Sequence, residues 1–270
     1  MYFSRKTKLF LQALSTIVFA FLYIPLLVIL VNSFNPSKTF SWPPAGFTTT
    51  WWGKAVENEG VRTALLTSVK AGLGAMLISL LLGSMVAFAV ARYQFFGREA
   101  ISLLVILPIA LPGIITGIAL NSAFRTTLEP LGISFGLATV IIGHATFCIV
   151  VVYNNVLARL KRVGKSLEEA SSDLGAGSWQ TFRFVTFPSI RSALAAGALL
   201  AFALSFDEIV VTTFTSGAGI QTLPQWIFDN LFRPNQAPII NVVAATLIAL
   251  FALPVWLSQR LSEGAASGRI

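Results

Sequence analysis

The sequence is poor in charge, cysteine and histidine, and each shortage excludes something. Charged residues make up 11% of its 270 positions, against roughly 25% in a soluble domain, so the chain lacks the polar surface that water demands. The single cysteine, Cys148, rules out an intrachain disulfide and a cysteine-based metal cluster. Set in an apolar run, it reads as a buried, inert thiol. The single histidine, His144, supplies neither a metal-ligand set nor a nucleophile–base pair, which argues against an intramembrane enzyme and leaves catalytic and metal residues at none. A packing role is the reading for His144. Gly164-Lys165-Ser166 ends like a phosphate-binding loop, but Arg159 stands where that motif needs glycine and no strand precedes it. The chain is therefore expected to hydrolyse no nucleotide. The net charge of +8 does not point to nucleic acid, because the basic residues sit at the ends of apolar blocks with no aromatic interleaving.

What the sequence has is apolar length: 55% hydrophobic residues and a mean hydropathy of +0.77. About 20 apolar residues cross a hydrocarbon core as a helix. Blocks of that size fall at Leu9–Val31, Thr63–Ala91, Ala100–Phe124, Phe135–Leu157, Ser189–Phe214 and Ile239–Leu261, predicting an all-α, polytopic membrane protein of about six transmembrane helices. No block alternates with a period of two, which excludes a barrel reading. The basic stretch before Leu9 leads into a run about twice the length of a signal-peptide core, so it is read as a retained span.

Lysine and arginine set the orientation. Arg5, Lys6, Lys8, Arg92, Arg98, Arg159, Lys161, Arg162, Lys165, Arg183, Arg191, Arg260 and Arg269 fall on one side. Lys38, Lys54, Arg62, Arg125 and Arg233 fall on the other, and Lys70 lies inside a span. The excess places both termini in the cytoplasm. The Phe40–Trp52 stretch, with Trp42, Trp51 and Trp52, then lies outside as an interfacial belt, a substrate-binding aromatic cluster being the alternative. Proline and glycine punctuate the third block at Pro108, Pro112, Gly113 and Gly117. The preferred reading is a kink with close helix approach through Gly113-x-x-x-Gly117. A broken helix lining a pathway is the alternative.

Charges within spans are costly and mark function or pairing. Asp207 and Glu208 lie about 18 residues into the fifth block, roughly 27 Å along a helix, and on a continuous helix would point about 100° apart. A carboxylate there suits a cationic solute. The structural alternative is an ion pair with Lys70 or Arg125, or a contact at the subunit interface, and for Lys70 pairing with Asp207 or Glu208 is preferred over snorkelling.

The loop Ala158–Pro188 carries the densest information. Ser166-x-x-Glu169 reads as a capping box. Gly175 and Gly177 offer left-handed turns, and Ser178 a cap for a second short helix that should stop near Pro188. The product is a compact helical knob, or else an amphipathic pair lying on lipid headgroups through Arg159, Lys161, Arg162 and Lys165.

Glu169-Ala170-Ser171, three residues, Gly175, nine residues, then Val185-x-Phe187-Pro188 resembles the EAA loop of ABC-importer permeases. Ser171, Val185 and Phe187 replace that pattern's second alanine, isoleucine and leucine. The stretches Ile101–Gly117, Gly143–Asn155 and Leu200–Gly217 resemble the spermidine/putrescine (polyamine) permeases. The resemblance implies a type I, MetI-like importer permease over residues 1–270, with a coupling loop at about 158–188, in the bacterial inner membrane. It implies ATPase contacts through Glu169, Ala170, Ser171, Asp173, Gly175 and Trp179, and a substrate path touching Asp207, Glu208 and Lys70. The implied partners are a second related permease (a heterodimer), two ABC ATPase subunits, a periplasmic solute-binding protein and membrane lipid. The chain would bind no cofactor, ATP and Mg being used by the ATPase. Other small solutes such as 4-aminobutyrate, and an ATP-independent secondary transporter, are the competing readings.

Overall fold

The computed structural model describes residues 4–39, 42–233 and 235–267, with backbone only beyond 252. Twelve α-helices follow in order: α1 Arg5–Asn32, α2 Thr50–Glu57, α3 Glu59–Arg92, α4 Arg98–Ala110, α5 Gly113–Thr127, α6 Leu137–Val163, α7 Ser166–Asp173, α8 Ser178–Thr181, α9 Phe187–Phe206, α10 Val210–Thr215, α11 Leu223–Asn230 and α12 Ala237–Ser267. There is no strand among the described residues. The fold is all-α, as the apolar blocks predict.

Four helical runs are long and apolar enough to cross a membrane: α1, α3, α6 and the continuous Ser178–Phe206. The third block is a bent pair, α4 and α5 meeting at 109°. The sixth block lies in α12, whose described apolar part is Ala237–Ala252; the rest of that block, with Arg260, Arg269 and Phe40, falls outside the described residues or side chains.

Two compact units divide the chain, Met1–Arg62 with Ile227–Ile270, and Thr63–Trp226. In the first, α1 and α2 pack against α12. Ser4 caps α1 by accepting the Thr7 N–H at 3.2 Å. The most apolar stretch of α1 buries none of its residues, so its Leu, Ile and Phe side chains are left for lipid. Near α2, Lys54 lies 4.6 Å over the Trp51 ring.

The second unit is organised around α6, the most buried of the long apolar helices. Val152, Tyr153, Val156 and Leu160 from α6 are enclosed by Ala87 and Val90 of α3, Ile190 and Ala201 of α9 and Val211 of α10. Backbones come close there because side chains are missing. A methyl on Gly83 would stand 2.9 Å from the Ile149 carbonyl oxygen, which is how α3 lies against α6 without a gap.

The third block breaks rather than kinks. Proline disfavours the helical conformation in the residue before it, and Leu111, preceding Pro112, is extended at φ −85°, ψ 144°. Pro108 has no such effect and stays inside α4. The expected close approach does form: Gly113 faces Val210, and a methyl on Gly117 would meet the Phe214 ring, so α5 packs on α10.

The fifth block also departs from a continuous helix. α9 ends at Phe206 and α10 restarts at Val210. The run Ile209-Val210-Val211-Thr212-Thr213 is wholly β-branched and a weak helix former, so restarting needs a cap. Glu208 provides it, its carboxylate accepting the Val211 N–H at 2.8 Å.

Candidate functional site

Two places concentrate polar structure in the second unit: the loop between α6 and α9, and the paired breaks of α4–α5 and α9–α10. The loop begins at Gly164, where φ of +72° turns the chain out of α6. The expected capping box does not form. Lys165, in helical conformation, occupies the cap without a side-chain bond, and Ser166 is already the first helical residue, too far in to cap.

α7 is fixed by Glu168 instead. Its carboxylate meets Arg92, from the end of α3, through Nε at 2.8 Å and NH2 at 2.9 Å. It also accepts the Thr186 hydroxyl at 3.1 Å. Arg92 donates further to the Leu160 and Gly164 carbonyls at 3.3 and 3.0 Å, and Lys165 Nζ reaches the Arg92 carbonyl at 2.8 Å. Arg159 donates to the Ser189 carbonyl at 2.7 Å. Lys165 and Arg159 thus bind protein backbone, which weakens the reading of this loop as a headgroup-bound pair.

Gly175 closes α7 with φ of +87°. Ala176 N–H reaches the Ser171 carbonyl at 3.1 Å and Gly175 N–H the Ser172 carbonyl at 2.9 Å, the bond pair of a Schellman turn. Gly177 is extended (φ −69°, ψ 161°) and itself caps α8, so neither its expected left-handed turn nor a Ser178 cap is formed. Gln180 completes the start by accepting the Gly177 N–H at 2.9 Å. α8 does not stop at Pro188 either. It passes through a π turn, Phe182–Thr186, into α9. A π turn widens the helix by one residue, which relieves the clash between the proline ring and the carbonyl four residues back.

The sequence-predicted coupling residues sit together on this hairpin. Ser171 Oγ is 3.0 Å from Thr181 Oγ1 and bridges α7 to α8. Glu169, Ala170 and Asp173 are exposed, and Trp179, 68% exposed, stacks on Phe182 at 5.7 Å. Leu174 is 89% exposed. Two carboxylates, a leucine and a tryptophan are thus exposed together on this short hairpin.

At the breaks, Asp207 terminates α9 and is exposed, while Glu208 is half-buried and occupied as the α10 cap. Because the helix has ended, the 100° separation expected for adjacent residues does not apply. The expected ion pairs are not formed: among the described residues, salt bridges join Arg92 to Glu168 and Arg125 to Glu129. Lys70 is exposed on α3 and takes part in neither.

His144 spans the break. Its Nδ1 lies 2.7 Å from Ser205 Oγ on α9 and its Nε2 2.9 Å from Thr212 Oγ1 on α10, in a fully buried position. Both ring nitrogens are satisfied, which is the packing role read from the sequence. Asn121 Nδ2 donates to the Phe214 carbonyl at 2.6 Å and Thr139 Oγ1 to the Thr215 carbonyl at 2.7 Å, fixing α10 to α5 and α6.

Sequence reasoning missed Arg92, Glu168 and Thr186 as a cluster, and the bridging by His144. Arg92 carried a signal, being the last residue of an apolar block, but its partner was hidden in a Glu-Glu pair where either residue could have faced inward.

Residues 79–265 match the family of binding-protein-dependent transport system inner membrane components. The chain belongs to that family. The permease is 32% identical over 256 residues to the putrescine transport system permease protein PotI of Escherichia coli (strain K12), covering 93% of this chain and 90% of that one. It is 32% identical over 254 residues to the spermidine/putrescine transport system permease protein PotC of the same organism, covering 94% of each. Among solved structures, a bacterial ABC transporter involved in importing the acidic polysaccharide alginate aligns over 96% of the permease and 99% of that chain, at a TM-score of 0.73 and 15% identity. The MetNI methionine ABC transporter aligns over 76% and 94%, at 0.55 and 20%. These two establish the type I importer fold. The permease is thus a non-catalytic, multi-pass inner-membrane subunit of an ABC importer, working with a separate ATPase and a substrate-binding component.

Proposed function

We propose that the permease passes a polyamine through the inner membrane, and that Asp207 contributes a negative group to the path. The observation that carries the reading is an exposed carboxylate at the interruption of α9, without an ion-pair partner among the described residues. The relatives named for putrescine and spermidine give the cargo class. Unwound backbone beside a charge is how helical membrane proteins build solute sites, and a carboxylate matches an ammonium. Glu208, held as a cap, shapes the turn that presents Asp207. Lys70, exposed on α3, is assigned to the same path.

The ATPase docks on Glu169, Ala170, Ser171, Asp173, Gly175 and Trp179, with two ATPase copies consuming ATP and Mg and no cofactor bound by the permease itself. The second permease is a related chain, making a heterodimer, and both termini face the cytoplasm. The lysine and arginine asymmetry supports that orientation.

A second amine is favoured by one further likeness. A putative 2-aminoethylphosphonate permease, PhnV of Salmonella choleraesuis, is 30% identical over 256 residues. The deciding experiment measures uptake of labelled putrescine by the complete importer, with spermidine, 4-aminobutyrate and 2-aminoethylphosphonate as competitors. Competition by spermidine alone supports the polyamine reading. Stronger competition by either zwitterion overturns it.

A further inference from the structure

We propose that Arg92 and Glu168 form the strut that carries motion of the coupling hairpin to two membrane spans at once, with Arg92 a positioning residue for transport. The inference rests on α7 being the segment the ATPase moves.

α7 has eight residues, about two turns, and a helix so short keeps no shape of its own in water. Its ends are a left-handed glycine, Gly164, and the Gly175 turn. Push such an element and it pivots, unless it is fastened to something that must move with it. Glu168 is the fastening. Its carboxylate lies 2.8 Å from Arg92 Nε as an ion pair and accepts a hydrogen bond from Arg92 NH2 at 2.9 Å, a charge-assisted contact stronger than a neutral one. The same carboxylate holds the Thr186 hydroxyl at the base of α9. Arg92 closes the third side through the Leu160 and Gly164 carbonyls at the end of α6.

The cluster is partly sheltered, Arg92 being 12% and Glu168 22% exposed, and Thr186 is buried. Screening by salt is therefore weaker than for a surface pair. Phe182 packs against Phe88 of α3 at 6.1 Å and Phe187 at 6.2 Å, an apolar flank that keeps the same elements in register. The next residue along, Glu169, is exposed. One glutamate thus faces the motor while its neighbour faces the membrane helices. The π turn between α8 and α9, where the bonding ladder is already loosened, is the place where unfastened motion would be lost.

The test uses the complete importer in proteoliposomes, with spin labels at exposed Tyr93 and Leu167, and measures their separation without nucleotide and with ATP trapped. In the unsubstituted protein the separation stays single and narrow in both states, because the two sites move together. Glu168→Gln keeps the shape and loses the charge; it is expected to broaden or shift the distance on ATP trapping and to lower putrescine taken up per ATP hydrolysed roughly tenfold. Arg92→Lys, which keeps the charge but not the guanidinium bonds to the Leu160 and Gly164 carbonyls, is expected to lose less than Glu168→Gln. Thr186→Val, which removes one bond and preserves volume, gives a smaller decrease and keeps the test available if Glu168→Gln folds poorly. An unchanged separation and an unchanged uptake-to-hydrolysis ratio in Glu168→Gln, or in Thr186→Val in its place, overturn the strut. Failure of the docking reading looks different: Glu169→Arg would then leave ATPase co-purification intact.

Discussion

Glu168 and Asp207 are two carboxylates placed next to helix ends, and the permease treats them in opposite ways. Glu168 is satisfied twice over, by an ion-paired, hydrogen-bonded arginine and a threonine hydroxyl. Asp207 stands exposed at the end of α9, and its neighbour Glu208 does the capping. A carboxylate surrounded by donors builds structure; one left facing outward is available to something that arrives. The first belongs to the mechanical junction and the second to the path of the cargo.

The comparison can be broken from either end. At the junction, Glu169→Arg reverses the charge on the face proposed for the ATPase. It is expected to weaken ATPase association by roughly 30-fold, the scale of a lost interface hot spot, while membrane insertion is unchanged. Quantitative co-purification checks it. At the break, Asp207→Asn removes the charge and keeps the size. Putrescine uptake should fall roughly tenfold with assembly and ATPase binding intact, and unchanged uptake would remove Asp207 from the path.

His144 sharpens the contrast by testing the scaffold alone. His144→Ala leaves the Ser205 hydroxyl without its partner in a buried site, while Thr212 keeps its bond to the Glu208 carbonyl; the cost is about 1–3 kcal/mol, visible as a lower melting temperature in detergent. Uptake per folded molecule should fall less than in Asp207→Asn. The smallest effect is expected from Lys70→Ala. An exposed residue without an ion-pair partner in the described structure should change stability by no more than about 0.5 kcal/mol, so any loss of uptake beyond that would speak for its place in the path.

Much of this architecture was legible in the residues, and the failures have physical causes. Blocks of apolar length located the four helices long enough to cross a membrane and the bent pair of the third block, because lipid imposes one requirement on all of them; the sixth block shows only a shorter apolar helix among the described residues. Glu169 through Gly175 could be read because a short helix closed by a left-handed glycine leaves a fixed spacing. The hairpin's details were less legible. Ser166-x-x-Glu169 has the letters of a capping box, but Lys165 takes the cap once Glu168 is drawn to Arg92 76 residues away. No local pattern reports a partner that distant.

The two breaks differ in the same respect. Pro112 announces the first through its effect on Leu111, although a kink would have carried the same proline. The second has neither proline nor glycine. It arises from a β-branched run and a glutamate that caps its restart, and the surrounding hydropathy hides both. Pro188 misled in the opposite direction: it reads as a stop, and the π turn before it lets the helix continue.

The most direct test of the central claim, that force enters the permease at α7, is a cross-linking measurement. Cys148 is buried, so Cys148→Ala provides a background in which Glu169→Cys is the single thiol. Treated with a short bifunctional reagent in native membranes, that variant should couple to the ATPase subunit, with a yield that changes when ATP is trapped. Coupling to lipid-anchored reagent alone, with no ATPase adduct in either state, would contradict the account.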